Sequence, residues 1–429
     1  MKKYESYKDS GVGWIGEIPS HWSCVKIKHL LRERVDKSED GIGEPLSMSQ
    51  KYGLIPTSQM DVVPNLATSY VGAKRTRQGD MVLNKLKAHL GVFALSAYDG
   101  LVSPDYAVYY GTGRADLEYL EYLFKTPLYV SEFIKKTTGV AIGFNRLYTD
   151  DLFSIPAHYP PMQEQKRIVD YLKDKTLKIE QYVSARERER ELLDSLKQSE
   201  IANVVTNGLN PNVRMKDSGI PWIGMIPEHW ETRTLSQMAR VHFISNKNVH
   251  HQNLLSLSYG KIVCKDINTT EGLLPASFDN YQIVEDGNIV LRLTDLQNDH
   301  KSLRVGLSTQ EGIITSAYLA IEAFTGILPK YLYFLLHSID VKKVFYSMGN
   351  GLRQSLNWTE LRKLKCIVPP ILEQQAIVDY IEAKLSKIDS CMADLQTEID
   401  YLKEFKQRLI SDVVTGQICV AEPQKGEQQ

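Results

Sequence analysis

Apolar residues recur at alternating steps of four and three positions between about Leu372 and Thr415, a stretch without internal glycine or proline. This spacing is typical of a long helix with a coiled-coil seam. A looser version runs from about Gln163 to Thr206, around a solvated Arg-Glu run at 186–191. The seam positions are Ile381, Leu385, Ile388, Met392, Leu395, Ile399, Leu402, Leu409 and Val413 in the later stretch and Ile168, Leu172, Ile179, Val183, Leu193, Leu196 and Val204 in the earlier one.

Each predicted helix has about 44 residues and would be roughly 65 Å long. A single amphipathic helix of that length cannot bury its own apolar stripe. We therefore expect the two helices to pack on each other, most economically antiparallel. The segments that precede them would then lie at opposite ends of a bar, related by a pseudo-twofold axis.

Short runs with β-like composition, separated by turn residues, fill the segments before each long helix. Two shorter helical patterns, at 116–124 and 329–336, interrupt them. The pattern favours an α+β fold with two sheet-containing globular domains separated by the long helices. The clearest predicted strands are Leu46–Ser49, Asp80–Leu83 and Tyr106–Tyr110 in the first half and Leu255–Ser258, Asn288–Leu291 and Ala317–Ile321 in the second.

The chain is an internal duplication. KDSGVGWIGEIPSHW at 8–22 returns as KDSGIPWIGMIPEHW at 216–230, with eleven of fifteen positions identical. The helix starts PPMQEQKRIVDYL and PPILEQQAIVDYI and the helix ends VVTNG and VVTGQ repeat at nearly the same offset. Solenoid repeats have periods of roughly 20–50 residues, so this is a duplication of whole domains. The globular segments diverge, which predicts two binding modules of different specificity on one frame.

The repeat and the long helices together suggest domain boundaries. We expect a first target domain at 1–160, a first spacer helix at 161–212, a second target domain at 213–368, a second spacer helix at 369–418 and a flexible tail at 419–429.

Composition narrows the class of protein. The net charge is −1, with 51 basic and 52 acidic residues, so a nucleic-acid reader of this composition needs locally clustered charge. The five cysteines form no CxxC pair, which argues against a disulfide framework or a zinc site and for a reducing cytoplasm. No apolar run approaches the roughly 20 residues that cross a bilayer.

The duplicated WIGxIPxHW loop, the Pro-Pro-x-x-Glu-Gln helix starts and the Val-Val-Thr helix ends, in this order and twice, closely resemble the specificity subunit of type I restriction–modification systems. The resemblance covers essentially the whole chain.

The resemblance implies a non-catalytic subunit that reads a bipartite, asymmetric site on duplex DNA. It implies that the long helices space the two half-sites and bind two modification (methyltransferase) subunits, with restriction subunits added in the full complex. The chain itself would bind no cofactor, and S-adenosylmethionine, Mg²⁺ and ATP would belong to the partner subunits.

Catalytic patterns in the chain are weak. Gly11-Val-Gly-Trp-Ile-Gly fits the dinucleotide pattern GxGxxG, but that motif needs a preceding strand and a following helix, and here Pro19 follows. Asp105 with Glu164-Gln-Lys166 could form a nuclease pattern, but the second copy has Gln375 in place of the lysine. The methyltransferase motif (N/D)PP(Y/F) and a Walker A motif are absent, so we expect neither a catalytic residue nor a metal site.

Basic, amide and aromatic side chains beside the predicted strands are the candidates for DNA contact. Lysine and arginine neutralise phosphates, while Asn, Gln and Arg can read base edges. In the first half they are Lys74, Arg75, Arg77, Asn84, Lys85, Lys87 and His89, and in the second half Arg292, Thr294, Gln297 and Arg304.

Two further candidate segments lie at equivalent positions just before the last short helix of each half. Both combine glycines with amide, guanidinium and aromatic groups, which suits a loop that contacts DNA. The candidates in them are Asn145, Arg146 and Tyr148, and Arg353, Gln354, Asn357 and Trp358.

The near-neutral charge leaves a rival function open. A duplicated coiled-coil adaptor that binds proteins and not DNA would share the same helices and duplication. Salt-dependent binding to duplex DNA by the assembled complex discriminates between the two.

Overall fold

The computed structural model describes residues 2–49, 52–60, 69–138, 145–248, 251–267, 277–296, 299, 302–348 and 355–420, except for the side chains of Ala88 and His89. The chain folds into two compact units. Unit 1 comprises Met1–Arg186 and Thr397–Gln429, and unit 2 comprises Glu187–Gln396. None of the helices in the described part of the chain is long and apolar enough to cross a membrane.

The α-helices include two of unusual length, which match the predicted stretches within two residues. The α-helices are α1 (Leu117–Phe124), α2 (Pro127–Lys136), α3 (Thr149–Ser154), α4 (Met162–Asn207), α5 (Pro329–Val341), α6 (Trp358–Leu361) and α7 (Ile371–Val414).

The described residues of unit 1 form twelve short strands, and the central sheet has the antiparallel order β4-β11-β8-β9. They are β1 (Tyr7–Asp9), β2 (Glu17–Pro19), β3 (Ser23–Lys26), β4 (Leu31–Glu33), β5 (Leu46–Ser49), β6 (Gly53–Pro56), β7 (Lys74–Thr76), β8 (Met81–Asn84), β9 (Phe93–Leu95), β10 (Gly100–Val102), β11 (Tyr106–Gly111) and β12 (Pro156–Tyr159).

Unit 2 repeats this topology with a central sheet of order β16-β24-β21-β22. Its strands are β13 (Met215–Asp217), β14 (Met225–Pro227), β15 (Glu231–Thr234), β16 (Ala239–Val241), β17 (Ile244–Ser245), β18 (Leu255–Ser258), β19 (Lys261–Cys264), β20 (Tyr281–Val284), β21 (Ile289–Leu291), β22 (Val305–Leu307), β23 (Gly312–Thr315), β24 (Leu319–Ala323) and β25 (Lys365–Val368). The predicted α+β class and the predicted strands are confirmed.

Strand residues alternate between two cores, as the period of a β-strand requires. Met81 and Leu83 of β8 face a core that also contains α1 and α2, while Val82 faces the core under the β5–β6 hairpin. In unit 2, Ile289 and Leu291 of β21 face the larger core and Val290 the smaller one. Both sheets are therefore covered on two sides, and only their rims and loops remain for binding.

The duplicated tryptophan loops (8–22 and 216–230) are structural. The Gly11–Gly16 segment is the turn between β1 and β2, closed by Ser10 N–H donating to the Gly16 carbonyl, so the dinucleotide pattern lacks its helix. Trp22 and Trp230 are completely buried.

Each long helix ends against a tryptophan loop. Gly416, at φ +78°, follows α7, and a Cβ there would lie 2.5 Å from the ring of Pro19 in unit 1. Gly208, at φ +75°, follows α4, and its Cβ would lie 3.1 Å from Trp230 in unit 2. The left-handed conformation and the close approach both require glycine, which explains why the two helix ends carry it.

The glutamine of each duplicated Glu-Gln pair anchors the start of its long helix by hydrogen bonds. Gln165 donates to the Pro160 carbonyl at 2.7 Å and accepts from the backbone N–H of Asp116 at 2.7 Å. Gln374 repeats both bonds, with the Pro369 carbonyl and the Leu328 N–H, each at 2.9 Å. The motif therefore ties each long helix to the short helix of its own target domain.

The long helices pack antiparallel within each unit, as predicted. In unit 1, Lys406 contacts Glu180 at 2.9 Å, whereas Arg186, later in α4, contacts the earlier Glu398 at 3.2 Å. In unit 2, Lys197 of α4 pairs with Asp389 of α7 at 2.6 Å.

Most seam residues of the two helices are buried or half-buried. The prediction for Leu196 is wrong, because 49% of that side chain is exposed. The positions of the domain boundaries stay a prediction. Cys419, which was expected in a flexible tail, donates its N–H to the Lys2 carbonyl at 2.9 Å, and 421–429 lie outside the described residues.

Candidate nucleic-acid interface

Two segments that are distant in sequence meet at the end of β8. The backbone N–H of Leu147 donates to the carbonyl of Lys85 at 3.2 Å. In unit 2 the Leu356 N–H donates to the Leu293 carbonyl at 2.9 Å. In both units, one backbone hydrogen bond therefore ties the loop before α3 or α6 to the residues that follow a strand of the central sheet. This contact brings the predicted candidates at 84–87 and 145–148 side by side.

Three cations and two carboxylates gather there in unit 1. Lys74 Nζ lies 3.4 Å from Glu33 Oε1, and Arg146 Nη2 lies 3.0 Å from Asp105 Oδ1. Partial burial and then the nearby Lys74 cation lower the pKa of Lys85, while Glu33 and Asp105 oppose that shift. We call Glu33, Lys74, Lys85, Asp105 and Arg146 the unit 1 cluster.

The cations of the unit 1 cluster have the chemistry of a DNA contact, and the carboxylates of the same cluster compete with DNA for them. Arg146 can offer a two-pronged set of donors to guanine or a phosphate, and the half-buried Lys85 is a point charge for phosphate, whereas Lys74 is buried, with 8% of its surface exposed. Because Arg146 and Lys74 already have carboxylate partners, a ligand must outcompete Asp105 and Glu33. Such competition favours a correctly placed acceptor over a generic anion.

Glu33 and Asp105 were not among the predicted DNA-contact residues. Glu33 lies opposite Tyr109 in the β4–β11 ladder, and Asp105 comes just before β11. No local signal reveals these pairings, because 41 residues separate Glu33 from Lys74. The nuclease pattern does not form. Asp105 pairs with Arg146, while Glu164 accepts hydrogen bonds from Trp22, Tyr4 and His21.

The other predicted residues of unit 1 are dispersed. Arg75 lies in a separate group with Asp40 at 3.2 Å and Asp36 at 4.0 Å. Asn84 is buried, and its side-chain oxygen accepts from the Leu86 N–H, so the prediction that it contacts DNA is not supported. Arg77 and Lys87 are exposed, and the side chain of His89 lies outside the described residues.

The loop before α3 presents exposed polar groups beside the unit 1 cluster. Asn145 is exposed, and Tyr148, with 46% of its surface exposed, precedes the first turn of α3. Arg146 also pairs by its backbone with Thr138. Its guanidinium is therefore held on an ordered segment.

Arg304 of unit 2 cannot contact DNA, which corrects the prediction made for it. Its side chain is 0% exposed, and its guanidinium donates to four backbone carbonyls and to the hydroxyl of Tyr346. A cation in a charged-looking segment was expected at the surface, but these acceptors compensate its burial.

The remaining predicted residues of unit 2 have varied positions. Arg292 is half-buried, 3.7 Å from Asp299, and Thr294 is exposed. Asn357 caps α6 by accepting from the Glu360 N–H at 3.2 Å, and Trp358 packs partly buried against the core of unit 2. Gln297, Arg353 and Gln354 lie outside the described residues.

The two units differ most where the unit 1 cluster lies. Strand register places Tyr109 opposite Glu33 and Met81, and Ile321 opposite Val241 and Ile289. Equivalent pairing in the two units matches each residue of the unit 1 cluster with one residue of unit 2. Its five positions correspond in unit 2 to Val241, Gln282, Leu293, Ala317 and Ser355. None of these carries a charge, so the two units differ chemically at these five equivalent positions.

Comparisons with known proteins cover most of the chain. It is 21% identical over 445 residues, covering 97% of itself and 98% of the relative, to a protein from Methanocaldococcus jannaschii named as a putative type I restriction enzyme MjaX specificity subunit. It is 24% identical over 319 residues, 70% of each chain, to the type I restriction enzyme MjaVIII specificity subunit of the same organism. No family model matches the chain.

A solved structure shares the fold. With a TM-score of 0.67 and 13% identity, 94% of this chain matches 99% of a chain from a structure that describes complex assembly and conformational transition of a type I restriction–modification system. The resemblance carried by the duplicated motifs is thereby confirmed. The chain is similar over most of its length to proteins named as specificity subunits of type I restriction enzymes.

Proposed function

We propose that this chain is the DNA-specificity subunit of a type I restriction–modification complex, and that each unit reads one half of a bipartite, asymmetric site. The carrying observation is a shared frame with unlike reading surfaces. Both units have the same strand order, the same helix attachments and the same loop contact beside the central sheet. The unit 1 cluster is charged and its counterpart in unit 2 is neutral.

The chain contributes recognition and not chemistry in this proposal. Two modification subunits bring S-adenosylmethionine and methylate adenine, and restriction subunits bring ATP and Mg²⁺. The relatives are named as specificity subunits of restriction enzymes, which supports this division of labour.

Arg146→Gln tests the reading role of unit 1. The complex with the modification subunit is titrated with duplexes in which either half-site is scrambled. We expect Arg146→Gln to reduce the preference for the native half-site of unit 1 by about tenfold, because a good bidentate contact contributes about 1–3 kcal/mol of discrimination. The preference at the other half-site should not change.

Arg114→Gln is the matched control, since Arg114 is an exposed arginine of the same unit outside the unit 1 cluster.

Binding by the wild-type complex should weaken steeply with salt, as phosphate contacts require. A stable complex without salt-dependent, sequence-specific binding would support the protein-binding adaptor instead.

A further inference from the structure

Arg304 lies inside the loop that joins β21 to β22. Each N–H group of its guanidinium has an acceptor: Nε donates to Tyr346 Oη at 3.0 Å, and the terminal nitrogens donate to backbone carbonyls. These carbonyls belong to Arg292 at 3.2 Å, Thr294 at 2.8 Å, Asp295 at 3.1 Å and Asp299 at 2.6 Å. One buried side chain therefore determines the path of the loop backbone.

Neighbouring groups reinforce this arrangement. The hydroxyl of Tyr346 donates to the Asp299 carbonyl at 3.0 Å, so the loop is also fastened to the segment after α5. The backbone N–H of Arg304 donates to the buried carboxylate of Asp340. Asp295 has a φ of +58°, a left-handed conformation that aspartate tolerates better than most residues.

The corresponding loop of unit 1 has a valine, Val92, at the place of this arginine. The Asn84 N–H donates to the Val92 carbonyl, as the Arg292 N–H donates to the Arg304 carbonyl, so Val92 occupies the place of Arg304. The segment from 84 to 92 is also shorter than the segment from 292 to 304. A longer loop loses more conformational entropy when it is ordered, and an internal five-donor group offsets that cost.

The loop lies where a reading surface is expected. It continues β21, and the segment before α6 pairs with it through the Leu356–Leu293 backbone bond. The carbonyls of Arg292, Thr294, Asp295 and Asp299 accept from Arg304, while the side chain of Thr294 is exposed and that of Arg292 is half-buried.

We propose that Arg304 is the positioning residue of the unit 2 reading loop: by binding the backbone carbonyls of Arg292, Thr294, Asp295 and Asp299, it sets which base pairs the second half-site contains. The inference rests on the proposed function and adds a residue that acts without touching DNA. Lysine cannot replace it, because an ammonium has three donors on a single nitrogen and arginine has five in a rigid fork.

The test measures half-site preference and stability together. Arg304→Lys, Tyr346→Phe and the control Arg240→Lys, an exposed arginine paired with Glu322 on the same unit, are compared in the complex with the modification subunit. Binding is measured on duplexes with the native site or with either half-site scrambled. The half-site that changes when residues 213–368 are exchanged is the one read by unit 2.

We expect Arg304→Lys to lower the preference for the unit 2 half-site by at least about tenfold, with the preference at the other half-site intact. Tyr346→Phe should lower the same preference by a smaller factor, and it decides the question if Arg304→Lys does not fold. Arg240→Lys should match the wild type.

Folded Arg304→Lys and Tyr346→Phe complexes with unchanged preference would overturn the inference. So would an equal loss at both half-sites, which indicates general destabilisation. A wild-type complex without preference at either half-site would overturn the proposed function, and this inference with it.

Discussion

At the scale of single residues, duplicated positions have acquired different partners. Glu164 accepts from Trp22 Nε1 at 3.1 Å, from Tyr4 at 2.7 Å and from His21 at 2.7 Å. Its counterpart Glu373 accepts from His229 at 2.8 Å. The indole N–H of Trp230 has no hydrogen-bond partner among the described residues. The same motif therefore supports a hydrogen-bond network in unit 1 and a simpler histidine–carboxylate hydrogen bond in unit 2.

Glu164→Gln should be more destabilising than Glu373→Gln. The amide keeps one acceptor but places a donor against groups that themselves donate, so we expect a loss of about 1–3 kcal/mol in the free energy of unfolding. Glu373→Gln should cost under about 1 kcal/mol, because it weakens one half-exposed pair. Urea unfolding of both variants measures the difference, and equal losses would contradict the account.

His158 adds a pH dependence to unit 1. Its Nε2–H donates to the Val414 carbonyl at 3.1 Å, its Nδ1 accepts from Tyr129 at 3.1 Å, and burial lowers its pKa to about 4. The folded state thus disfavours the protonated ring. The contribution of neutral His158 to the free energy of unfolding is complete above the ordinary pKa of 6.5. It is lost as pH falls from 6.5 towards 4.

His158→Gln tests this effect, since glutamine offers a donor and an acceptor without titrating. We expect the wild type to lose on the order of 3 kcal/mol more than the variant between pH 6.5 and 4. The free energy of unfolding at several pH values measures it. Parallel pH profiles for the two proteins would show that His158 does not carry the dependence.

Unit 2 has opposing titrations in the same range. Burial lowers the pKa of His337 to about 4, so its contribution is lost on acidification. Burial raises the pKa of Asp340 to about 6, so ionisation of Asp340 costs stability as pH rises through the range from 3.8 to 6. The two effects have opposite signs and partly cancel. Both effects are present in the wild type and in His158→Gln, so they cancel when the two pH profiles are compared.

At the scale of elements, the β18–β19 hairpin has a strained tip. Tyr259 adopts φ +46° and is 80% exposed, and Gly260 follows at φ +77°. Two successive positive φ values are typical of a type I′ turn, in which Asn-Gly is preferred. A bulky residue in this conformation costs roughly 1–2 kcal/mol.

Tyr259→Asn should therefore raise the free energy of unfolding by about 1 kcal/mol. Tyr259→Phe is the control, because it keeps the strain and removes only the hydroxyl group. Hydrogen exchange in β18 and β19, together with thermal unfolding, measures both variants. A loss of stability in Tyr259→Asn would mean that the tyrosine ring makes a contact that outweighs the strain.

Helices and strands were easier to predict from the sequence than the contacts of single residues. The period of the apolar residues located α4 and α7, since burial of one stripe is a local requirement along a helix. Leu196 fits the seam yet is 49% exposed, because the pattern does not reveal what packs opposite each turn. Arg304 could not be placed from sequence, since its burial depends on carbonyls that only the folded loop supplies.

At the scale of the whole molecule, the duplicated halves share the same packing of sheets and helices. The candidate DNA-contact positions differ between them. Buried glutamines, helix-end glycines and tryptophans recur because each satisfies the same packing in its own unit. Side chains of a candidate interface follow no such constraint, so the DNA-contact roles of the predicted residues stay predictions. The spacing of the two target domains by the long helices stays a prediction.

The most direct test of two independent readers is the methylome of a host without other modification systems that expresses this chain with its modification subunit. The account predicts methyladenine at a split, asymmetric motif. Exchange of residues 1–160 for the same segment of a homologue should change one half of that motif and leave the other intact. A soluble complex that adds no methylation, or an exchange that changes both halves, would contradict it.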